Sequence, residues 1–331
     1  MNNYTSARIG ILGAGGYAGR ELVRLLARHP RARIAWATSE SEAGTALDDL
    51  VPGARGPALV KAEDAALDEC DCVVSCLPHG ESARWMERAR AAGVRAIDLS
   101  ADLRVPGAGT PEWAREAVYG LPELHRERIA GAQLVANPGC YPTAAILALA
   151  PLLRRGLAAG PVIVNAASGV TGAGRSPRRE LLFAEVAEGF SAYAVGNVHR
   201  HLAEMRSQAA GLVGGRAPEL VFTPHLLPVR RGILETIYVP LNEPLLGEPI
   251  GMWMDDYASE PFVRVTSGRM PSLADAVGSN RVAIGVTAVR DVAAPMLIVV
   301  AAIDNLVKGA AGQAVQNLNL MFGWPETEAL A

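Results

Sequence analysis

Short apolar runs alternate with amphipathic helical stretches through the first part of the chain. Runs with strand character occur at 8–12, 33–38, 71–77, 95–100 and 133–137. The stretch after Gly19 places Leu22, Leu25 and Leu26 on one helical face, and 81–92 is a second helical stretch. This alternation predicts an α/β domain of the Rossmann type, with a doubly wound parallel sheet and helices on both of its faces.

Strand candidates dominate the second half of the chain. They lie at 162–167, 220–224, 234–241, 262–266, 281–290 and 296–303. Several alternate in polarity, as half-exposed antiparallel strands do, so a second domain of the α+β class with a mixed sheet is expected. The helical run 307–322 should return to the first domain. We predict a first domain of residues 1–140 plus 305–331 and a second of residues 141–304.

Composition narrows the class of protein. The chain has 331 residues, of which 50% are hydrophobic and 20% charged, with a net charge of -3. No basic stripe of the kind that binds nucleic acid is visible. No apolar run is long enough to span a bilayer, and no signal peptide precedes the first strand, so the expected location is the cytoplasm. The apolar strands of the second domain favour a homodimer or homotetramer.

A glycine-rich turn follows the first strand and opens the first helix. It comprises Gly13, Ala14, Gly15, Gly16, Tyr17, Ala18 and Gly19. Glycines at this point let the backbone approach a pyrophosphate, which the helix N-terminus then stabilises. The turn therefore predicts a dinucleotide site, with a purely structural turn as the alternative.

The residues after the second strand bear on the choice of dinucleotide. The hydroxyl groups of Thr38, Ser39 and Ser41 suit the extra phosphate of NADP. Glu40 would instead suit the ribose hydroxyls of NAD, and no arginine adjoins it in sequence. On balance these residues favour NADP. His79, in the turn after the third strand, either lines this cofactor site or is an ordinary turn residue.

The stretch from Asn137 to Thr143 predicts a catalytic cysteine. It joins a strand-like run to an apolar helical run, and Pro142 suits a first helical turn. Cys140 then lies at a helix N-terminus, where the helix dipole favours the thiolate form. The alternative is a buried cysteine in a tight turn. The other cysteines, Cys70, Cys72 and Cys76, should share one face of a core strand, and no metal site is expected.

Three further segments hold candidate ligands. Arg175, at the end of the loop that begins with Ser168 and Gly169, could hold a phosphate or carboxylate. His199 and His201 could serve a distant cysteine as acid or base, or could form a plain surface pair. Asn305 and Lys308, near the start of the last helix, could meet an anionic or amide ligand, or could be a cap and a surface lysine.

Together these segments resemble the N-acetyl-gamma-glutamyl-phosphate reductases, of the semialdehyde dehydrogenase superfamily and the type 1 group. The resemblance spans nearly the whole chain and rests on the segments 13–19, 98–104, 119–124, 137–143, 168–175, 199–201, 224–232, 278–280 and 304–319. The main departure is that the stretch after the second strand lacks the arginine common in NADP users.

The resemblance implies an NADPH-dependent reduction of a small acyl phosphate to a semialdehyde, in arginine biosynthesis. Cys140 would form a thioester, His199 would be the first choice for the acid or base and His201 the second, and Asn137 with the Cys140 backbone N–H would hold the oxyanion. Ser168, Gly169, Asn305 and Lys308 would approach the cofactor. Arg104 and Arg175 would bind the anionic groups of the substrate.

Other functions remain open from sequence. A related enzyme of lysine biosynthesis reduces an aminoadipyl phosphate bound to a carrier protein by the same chemistry. Aspartate-semialdehyde dehydrogenase shares the architecture but matches these motifs less well. A protein that binds NADP without catalysis is the alternative from a different class, and replacement of Cys140 would distinguish it.

Overall fold

The computed structural model describes residues 5–245 and 247–330. Residues 1–4, where the sequence predicts a short polar segment, lie outside the described part, as do residues 246 and 331. The described strands are β1 (Ala7–Leu12), β2 (Ala32–Ala37), β3 (Cys72–Ser75), β4 (Arg95–Asp98), β5 (Val118–Tyr119), β6 (Leu134–Ala136), β7 (Val162–Gly169), β8 (Ser191–Ala192), β9 (Leu220–Leu227), β10 (Ile233–Pro240), β11 (Val263–Val265), β12 (Val282–Ala288) and β13 (Met296–Ile303).

The α-helices follow the same chain order. They are α1 (Tyr17–Leu26), α2 (Leu47–Leu50), α3 (Ala83–Ala91), α4 (Glu112–Arg115), α5 (Pro122–Ala130), α6 (Cys140–Arg154), α7 (Phe183–Val186), α8 (His201–Leu212), α9 (Ile250–Asp256) and α10 (Gly312–Met321). A π-helical turn, Val307–Ala311, leads directly into α10. No helix in the described part of the chain combines the length and apolar character needed to cross a membrane.

The sheet of the first unit has six parallel strands in the order β2-β1-β3-β4-β6-β5. Buried apolar side chains such as Ile9, Ile11 and Val73 line its strands. The chain order reverses beside β1, and ligands of such sheets bind at the carboxyl ends of the strands next to a reversal. This confirms the predicted Rossmann-like fold.

The sheet of the second unit is mixed, as predicted. Its seven strands have the order β11-β12-β13-β10-β7-β9-β8. The pairs β11–β12 and β7–β9 are parallel, and the other neighbours are antiparallel. Helix α6 packs against this sheet through its contacts with β10 and β13. The second unit therefore has its own core.

Helix α6 contains a proline that the rest of the second unit accommodates. Pro151 has no backbone N–H, so the carbonyl of Leu147 loses its helical partner. The hydroxyl of Tyr257 donates to that carbonyl at 2.5 Å, and Trp253 Nε1 donates to the carbonyl of Ala148 at 2.9 Å. The side chains of Trp253 in α9 and of Tyr257 just after it thus supply hydrogen bonds to the carbonyl groups beside the proline.

The division of the chain differs slightly from the predicted one. The first unit ends at Gly139 and resumes at Ala310, and the second unit runs from Cys140 to Gly309. Cys140 and residues 305–309, which we assigned to the first domain from sequence, fall in the second unit. Asn305 is tied to that unit, because its oxygen accepts from the Gly232 N–H at 2.8 Å and its nitrogen donates to Thr171 at 3.0 Å.

Candidate active site

The glycine-rich turn of the first unit closes tightly against the start of α1. Gly13 has φ of 78°, a conformation that disfavours side chains. A Cβ on Gly19 would lie 2.3 Å from the Gly13 oxygen and 2.7 Å from the Ala14 Cα. Only glycine fits at position 19, because the atoms in the way belong to the backbone. The turn is therefore shaped as a cradle at the N-terminus of α1, which can hold a phosphate.

The end of β2 supports this cradle. Thr38 is buried, and its hydroxyl oxygen accepts from the Gly13 N–H at 3.0 Å, while its carbonyl accepts from the Ala14 N–H at 2.7 Å. Its hydroxyl braces the turn. Ser39 is also buried at this edge, and a Cβ on Gly15 would lie 2.6 Å from its oxygen. The bare backbone of Gly15 thus lets the side chains of Ser39 and Glu42 approach the turn closely.

Three charged side chains near Ser39 change the prediction for this edge of the sheet. Glu40 is turned toward Ala62, whose N–H donates to the carboxylate at 3.0 Å. The sequence shows no arginine adjoining this stretch, but the fold brings Arg20 of α1 to it, where the guanidinium pairs with Glu42 at 2.6 Å. The signal was hidden because Arg20 and Glu42 are 22 residues apart.

The segment 98–104 ties together the loops at the carboxyl ends of β3 and β4. Asp102 accepts from the N–H groups of Gly80, Ser82 and Ala83, just before and at the start of α3. The Nδ1 atom of His79 accepts from the Ala101 N–H at 2.8 Å. These bonds give His79 a structural role in joining the two loops.

Arg104 braces the backbone that leads toward Cys140. It is buried, its Nε donates to the Asn137 carbonyl at 2.8 Å, and its Nη2 donates to the Leu99 carbonyl at 2.7 Å. These bonds favour a positioning role for Arg104 over the substrate contact that the resemblance implied.

The side chain of Asn137 is engaged within the first unit. Its nitrogen donates to the carbonyls of Pro138 at 3.5 Å and Ala310 at 3.3 Å, and its oxygen accepts from Asn317 of α10 at 3.0 Å. Asn317 also donates to the Gly120 carbonyl at 2.9 Å. The amide that we expected at the oxyanion thus links the end of β6 to α10. These bonds favour a structural role for Asn137.

Cys140 is the first residue of α6 and is half-buried. A Cβ on Gly309 would lie 2.7 Å from the Cys140 Cβ, so Gly309 packs directly against the cysteine. The other cysteines are free and lie in or beside β3, and burial raises the pKa of Cys70 to about 12. Within 5–245 and 247–330, no group of three or more His, Cys, Asp and Glu side chains could hold a metal ion.

Aromatic and imidazole rings form a cluster beside Cys140. The ring of Tyr141 lies edge-on to His199, with centroids 5.7 Å apart, and to His201 at 5.8 Å. The two imidazoles are 4.8 Å apart. The hydroxyls of Tyr141 and Tyr193 hydrogen bond at 2.9 Å. The structure therefore brings both predicted histidines to the residue that follows the cysteine, and the surface-pair alternative does not hold.

His199 is held as a neutral hydrogen-bond donor. Burial, and after it the charge of Arg200, lower the pKa of His199 to about 4, so the ring is neutral at physiological pH. Its Nδ1 accepts from the backbone N–H of His201 at 3.2 Å. A neutral imidazole with Nδ1 as acceptor carries its proton on Nε2. His199 thus presents an N–H rather than a basic nitrogen.

The two tyrosines of this cluster have raised pKa values. Burial chiefly raises the pKa of Tyr193, and the negative charge of Cys140 adds to the increase. Burial, followed by the influence of Tyr193, raises the pKa of Tyr141, where Cys140 contributes again. Both phenols therefore stay protonated at physiological pH. Sequence reasoning missed them: Tyr141 stands within the cysteine motif, but Tyr193 carries no spacing signal.

The loop after β7 packs against the segment 229–231. A Cβ on Gly169 would lie within 2.9 Å of the backbone at 229–231, so this glycine serves chain packing. Ser168 is buried, and its hydroxyl also interacts with Tyr141. Arg175 lies exposed beyond Gly174, in reach of a soluble anion. Lys308 is fully buried, with its nitrogen 5.8 Å from the Phe262 ring centroid, so it is not the surface lysine of the alternative reading.

Two family models match this chain. Residues 8–132 match the semialdehyde dehydrogenase NAD binding domain, and residues 140–305 match the semialdehyde dehydrogenase dimerisation domain. The glycine cradle lies in the first match, and Cys140, His199 and His201 lie in the second. The matches support a nicotinamide cofactor, which the cradle fits, and an oligomeric protein.

Solved structures share the fold. Aspartate semialdehyde dehydrogenase II from Vibrio cholerae, complexed with ASA, has a TM-score of 0.77 at 19% identity and covers 96% of this chain and 98% of its own. Aspartate semialdehyde dehydrogenase with NADP from Candida albicans has a TM-score of 0.72 at 15% identity, with the same coverage. At these identities the likeness concerns the fold alone.

Curated relatives are much more similar in sequence. The N-acetyl-gamma-glutamyl-phosphate reductase of Citrifermentans bemidjiense is 45% identical over 341 residues, which cover 98% of this chain and 97% of the relative. Those of Magnetococcus marinus and Moorella thermoacetica are 46% and 44% identical with the same coverage. The chain therefore belongs to the N-acetyl-gamma-glutamyl-phosphate reductase family, a group of oxidoreductases with semialdehyde dehydrogenase domains.

Proposed function

We propose that this protein reduces N-acetyl-gamma-glutamyl phosphate to N-acetylglutamate 5-semialdehyde and phosphate with NADPH, in arginine biosynthesis. The observation that carries the proposal is Cys140 at the start of α6, beside the cluster of Tyr141, Tyr193, His199 and His201. Relatives about 45% identical over nearly the whole chain carry the name of this activity. Both the site and the family thus support one reaction.

The first step is acyl transfer to sulfur. The Cys140 thiolate attacks the acyl carbon, the bond from that carbon to the phosphate oxygen breaks, and phosphate leaves with the electron pair. The product is a thioester on Cys140. The N–H groups in the first turn of α6 have no partner within the helix and carry its positive dipole end, so they suit the developing oxyanion.

The second step is reduction of the thioester. Reduced nicotinamide, when bound, supplies a hydride to the thioester carbon. The resulting hemithioacetal then breaks its carbon–sulfur bond, which releases the aldehyde and restores the Cys140 thiolate. The Nε2–H of His199 is suited to donate to the oxygen in both steps, and His201 remains the second candidate for proton transfer.

The proposed cofactor is NADP. We assign the pyrophosphate to the cradle of Gly13, Gly15, Gly16, Tyr17, Ala18 and Gly19. Ser39 is a candidate for the additional phosphate, whereas Glu40, the residue that argued for NAD, is engaged with Ala62. The Candida albicans protein of the same fold is described with NADP.

Substrate binding needs a cation in the second unit. Arg175 is exposed after a loop whose shape depends on Asn305, and we propose it for the carboxylate or phosphate of the acyl phosphate. Asn305 itself donates within the loop, and Lys308 is buried, so we propose that both support the site from behind. Ser168 and Gly169 stay predicted cofactor neighbours.

We propose a homodimer or homotetramer in the cytoplasm. An apolar row crosses one face of the second sheet, because Val221, Ile163, Tyr238 and Ile298 are register partners on neighbouring strands. Ile163 and Val221 are 39% and 38% exposed, so this row suits a second copy of the dimerisation domain. Reduced nicotinamide and acyl phosphates are products of cytoplasmic metabolism, which suits that location.

The reverse reaction tests the proposal. Purified protein with NADP, phosphate and N-acetylglutamate 5-semialdehyde should form reduced nicotinamide, and the Cys140→Ser variant should lose at least about 10³-fold in kcat while it still binds NADP. A preference for carrier-bound aminoadipate semialdehyde would instead favour the lysine-pathway reaction. Unchanged turnover by the variant would exclude the thioester route.

A further inference from the structure

A carboxylate of the protein itself lies over the glycine cradle. The Oε2 of Glu42 is 3.4 Å from the hydroxyl oxygen of Ser39, and a Cβ on Gly15 would lie 2.6 Å from both atoms. Three segments therefore meet here: the cradle, the end of β2 and the loop that follows it. The carboxylate is only partly exposed, at 22%.

Arg20 neutralises this carboxylate and is itself fixed to the cradle. Its Nε donates to the Gly15 carbonyl at 3.1 Å, and its Nη2 donates to Glu42 Oε1 at 2.6 Å. The first bond fixes the guanidinium, and its Nη2 reaches Glu42 in the loop after β2. An arginine held in this way has the donor geometry that suits a phosphate as well as a carboxylate.

The Arg20–Glu42 pair lies where a Rossmann unit distinguishes NAD from NADP. In a Rossmann unit, the residues just beyond the second strand contact the adenosine ribose, where an acid binds the 2′-hydroxyl of NAD and an arginine accommodates the 2′-phosphate of NADP. This protein has both kinds of group at that place, paired with each other. Whether Arg20 binds the carboxylate of Glu42 or a 2′-phosphate more strongly therefore decides which dinucleotide binds better.

We propose that Arg20 and Ser39 form the binding site for the 2′-phosphate of NADP, and that Glu42 is the resident anion that this phosphate replaces on Arg20. The inference rests on the proposed function, since it presumes that the cradle binds a dinucleotide. NAD binding leaves the Arg20–Glu42 pair in place. NADP binding exchanges one anion for another that carries more charge.

The exchange makes Glu42 a limit on affinity for NADP. A phosphate must displace the carboxylate and then stay close to it, and both effects weaken binding. Removing the charge of Glu42 should therefore strengthen the binding of a 2′-phosphate and leave a ligand without that phosphate nearly unaffected. Removing the charge of Arg20 should do the opposite.

Calorimetric titration of the full-length protein with 2′,5′-ADP and with ADP tests the inference without the reaction. We expect Arg20→Gln to weaken 2′,5′-ADP at least about tenfold and ADP less than about twofold. Glu42→Gln should tighten 2′,5′-ADP several-fold. The matched control is Arg24→Gln on the same helix, whose side chain pairs with Glu21 and is 43% exposed; it should change neither affinity.

Three results would overturn the inference. If Arg20→Gln weakens both nucleotides equally, Arg20 only supports the cradle. If Glu42→Gln weakens ADP, the carboxylate is a ligand of the ribose hydroxyls. If the unaltered protein binds neither nucleotide, the proposed cofactor site fails as well. The first two results leave the proposed function intact, and Glu42→Gln keeps the test decisive if Arg20→Gln does not fold.

Discussion

The carboxyl group of Glu235 lies on the buried face of β10, between Ala166 and Ala301 on the neighbouring strands. Neither of its oxygens has a hydrogen-bond partner among the described residues. Burial raises the pKa of Glu235 well above its usual range, so the folded protein holds it protonated. The small alanines on both sides make room for it, and no part of the proposed reaction uses it.

Replacement of Glu235 by Gln should reduce the loss of stability at high pH. In the unfolded chain this carboxyl ionises above about pH 4.3, whereas in the folded protein it keeps its proton, so stability falls by about 1.4 kcal/mol per pH unit until the folded pKa is reached. Urea unfolding at pH 5 and pH 8 should show that the advantage of Glu235→Gln grows with pH. The exposed Glu219→Gln is the control. A difference that does not depend on pH would contradict the protonated state.

His199 should titrate far below the usual range of histidine. Burial and Arg200 lower the pKa of His199 to about 4, so the folded protein keeps the ring neutral down to about pH 4. The unfolded chain already binds this proton below about pH 6.5, so stability is lost as pH falls from about 6.5 to about 4. Nuclear magnetic resonance of the imidazole, assigned with His199→Gln, should give a midpoint near pH 4. Arg200→Ala should raise that midpoint in part, because burial remains. A midpoint near 6.5 in the unaltered protein would contradict the lowering of this pKa by burial and Arg200.

At the scale of the element, the start of α6 is positioned by the segment that precedes α10. Gly309 lies against Cys140, and its N–H donates to the Asp304 carbonyl at 2.9 Å. Asp304 in turn accepts from the N–H groups of Gly278 and Leu306. The place of Cys140 therefore depends on a glycine that is 169 residues away, in a turn of a different element.

Gly309→Ala should reduce kcat much more than it reduces substrate affinity. Its Cβ would lie 2.7 Å from the Cys140 Cβ and 3.2 Å from the Cys140 Cα, so the cysteine must move, and a small displacement of a nucleophile costs about 10²-fold in rate. The control is Gly211→Ala within α8, where the added carbon meets no atom within 4 Å. Steady-state kinetics of both variants measures the effect. Full activity of Gly309→Ala would show that the packing of Gly309 against Cys140 does not position the cysteine.

The elements themselves were predictable where the pattern of apolar residues was strong. The runs at 162–167 and 296–303 correspond to β7 and β13, because buried strands are apolar on at least one face. Helices α5, α8 and α9 were not predicted. In α8, for example, the polar residues His201 and Glu204 are buried, so tertiary contacts and not periodicity decide that helix.

Across the whole molecule, local motifs predicted the groups that we propose for the reaction and missed those that folding brings together. Cys140 and the pair His199 and His201 were found because each lies in one short segment. Tyr193 and the pairing of Arg20 with Glu42 were missed, since each depends on a contact between segments that are distant in sequence. Asn137 and Arg104 stay predicted substrate contacts, and the sequence does not reveal that their donors also bind backbone carbonyls.

The central claim is that the acyl group passes through the sulfur of Cys140. Protein incubated with N-acetylglutamate 5-semialdehyde and NADP, without phosphate to release the acyl group, should accumulate the thioester. Mass spectrometry of the intact and digested protein should find one N-acetylglutamyl group per chain, on the peptide that contains Cys140, and none on Cys140→Ala. An acyl group on another residue, or phosphate-dependent turnover by Cys140→Ala, would contradict the account.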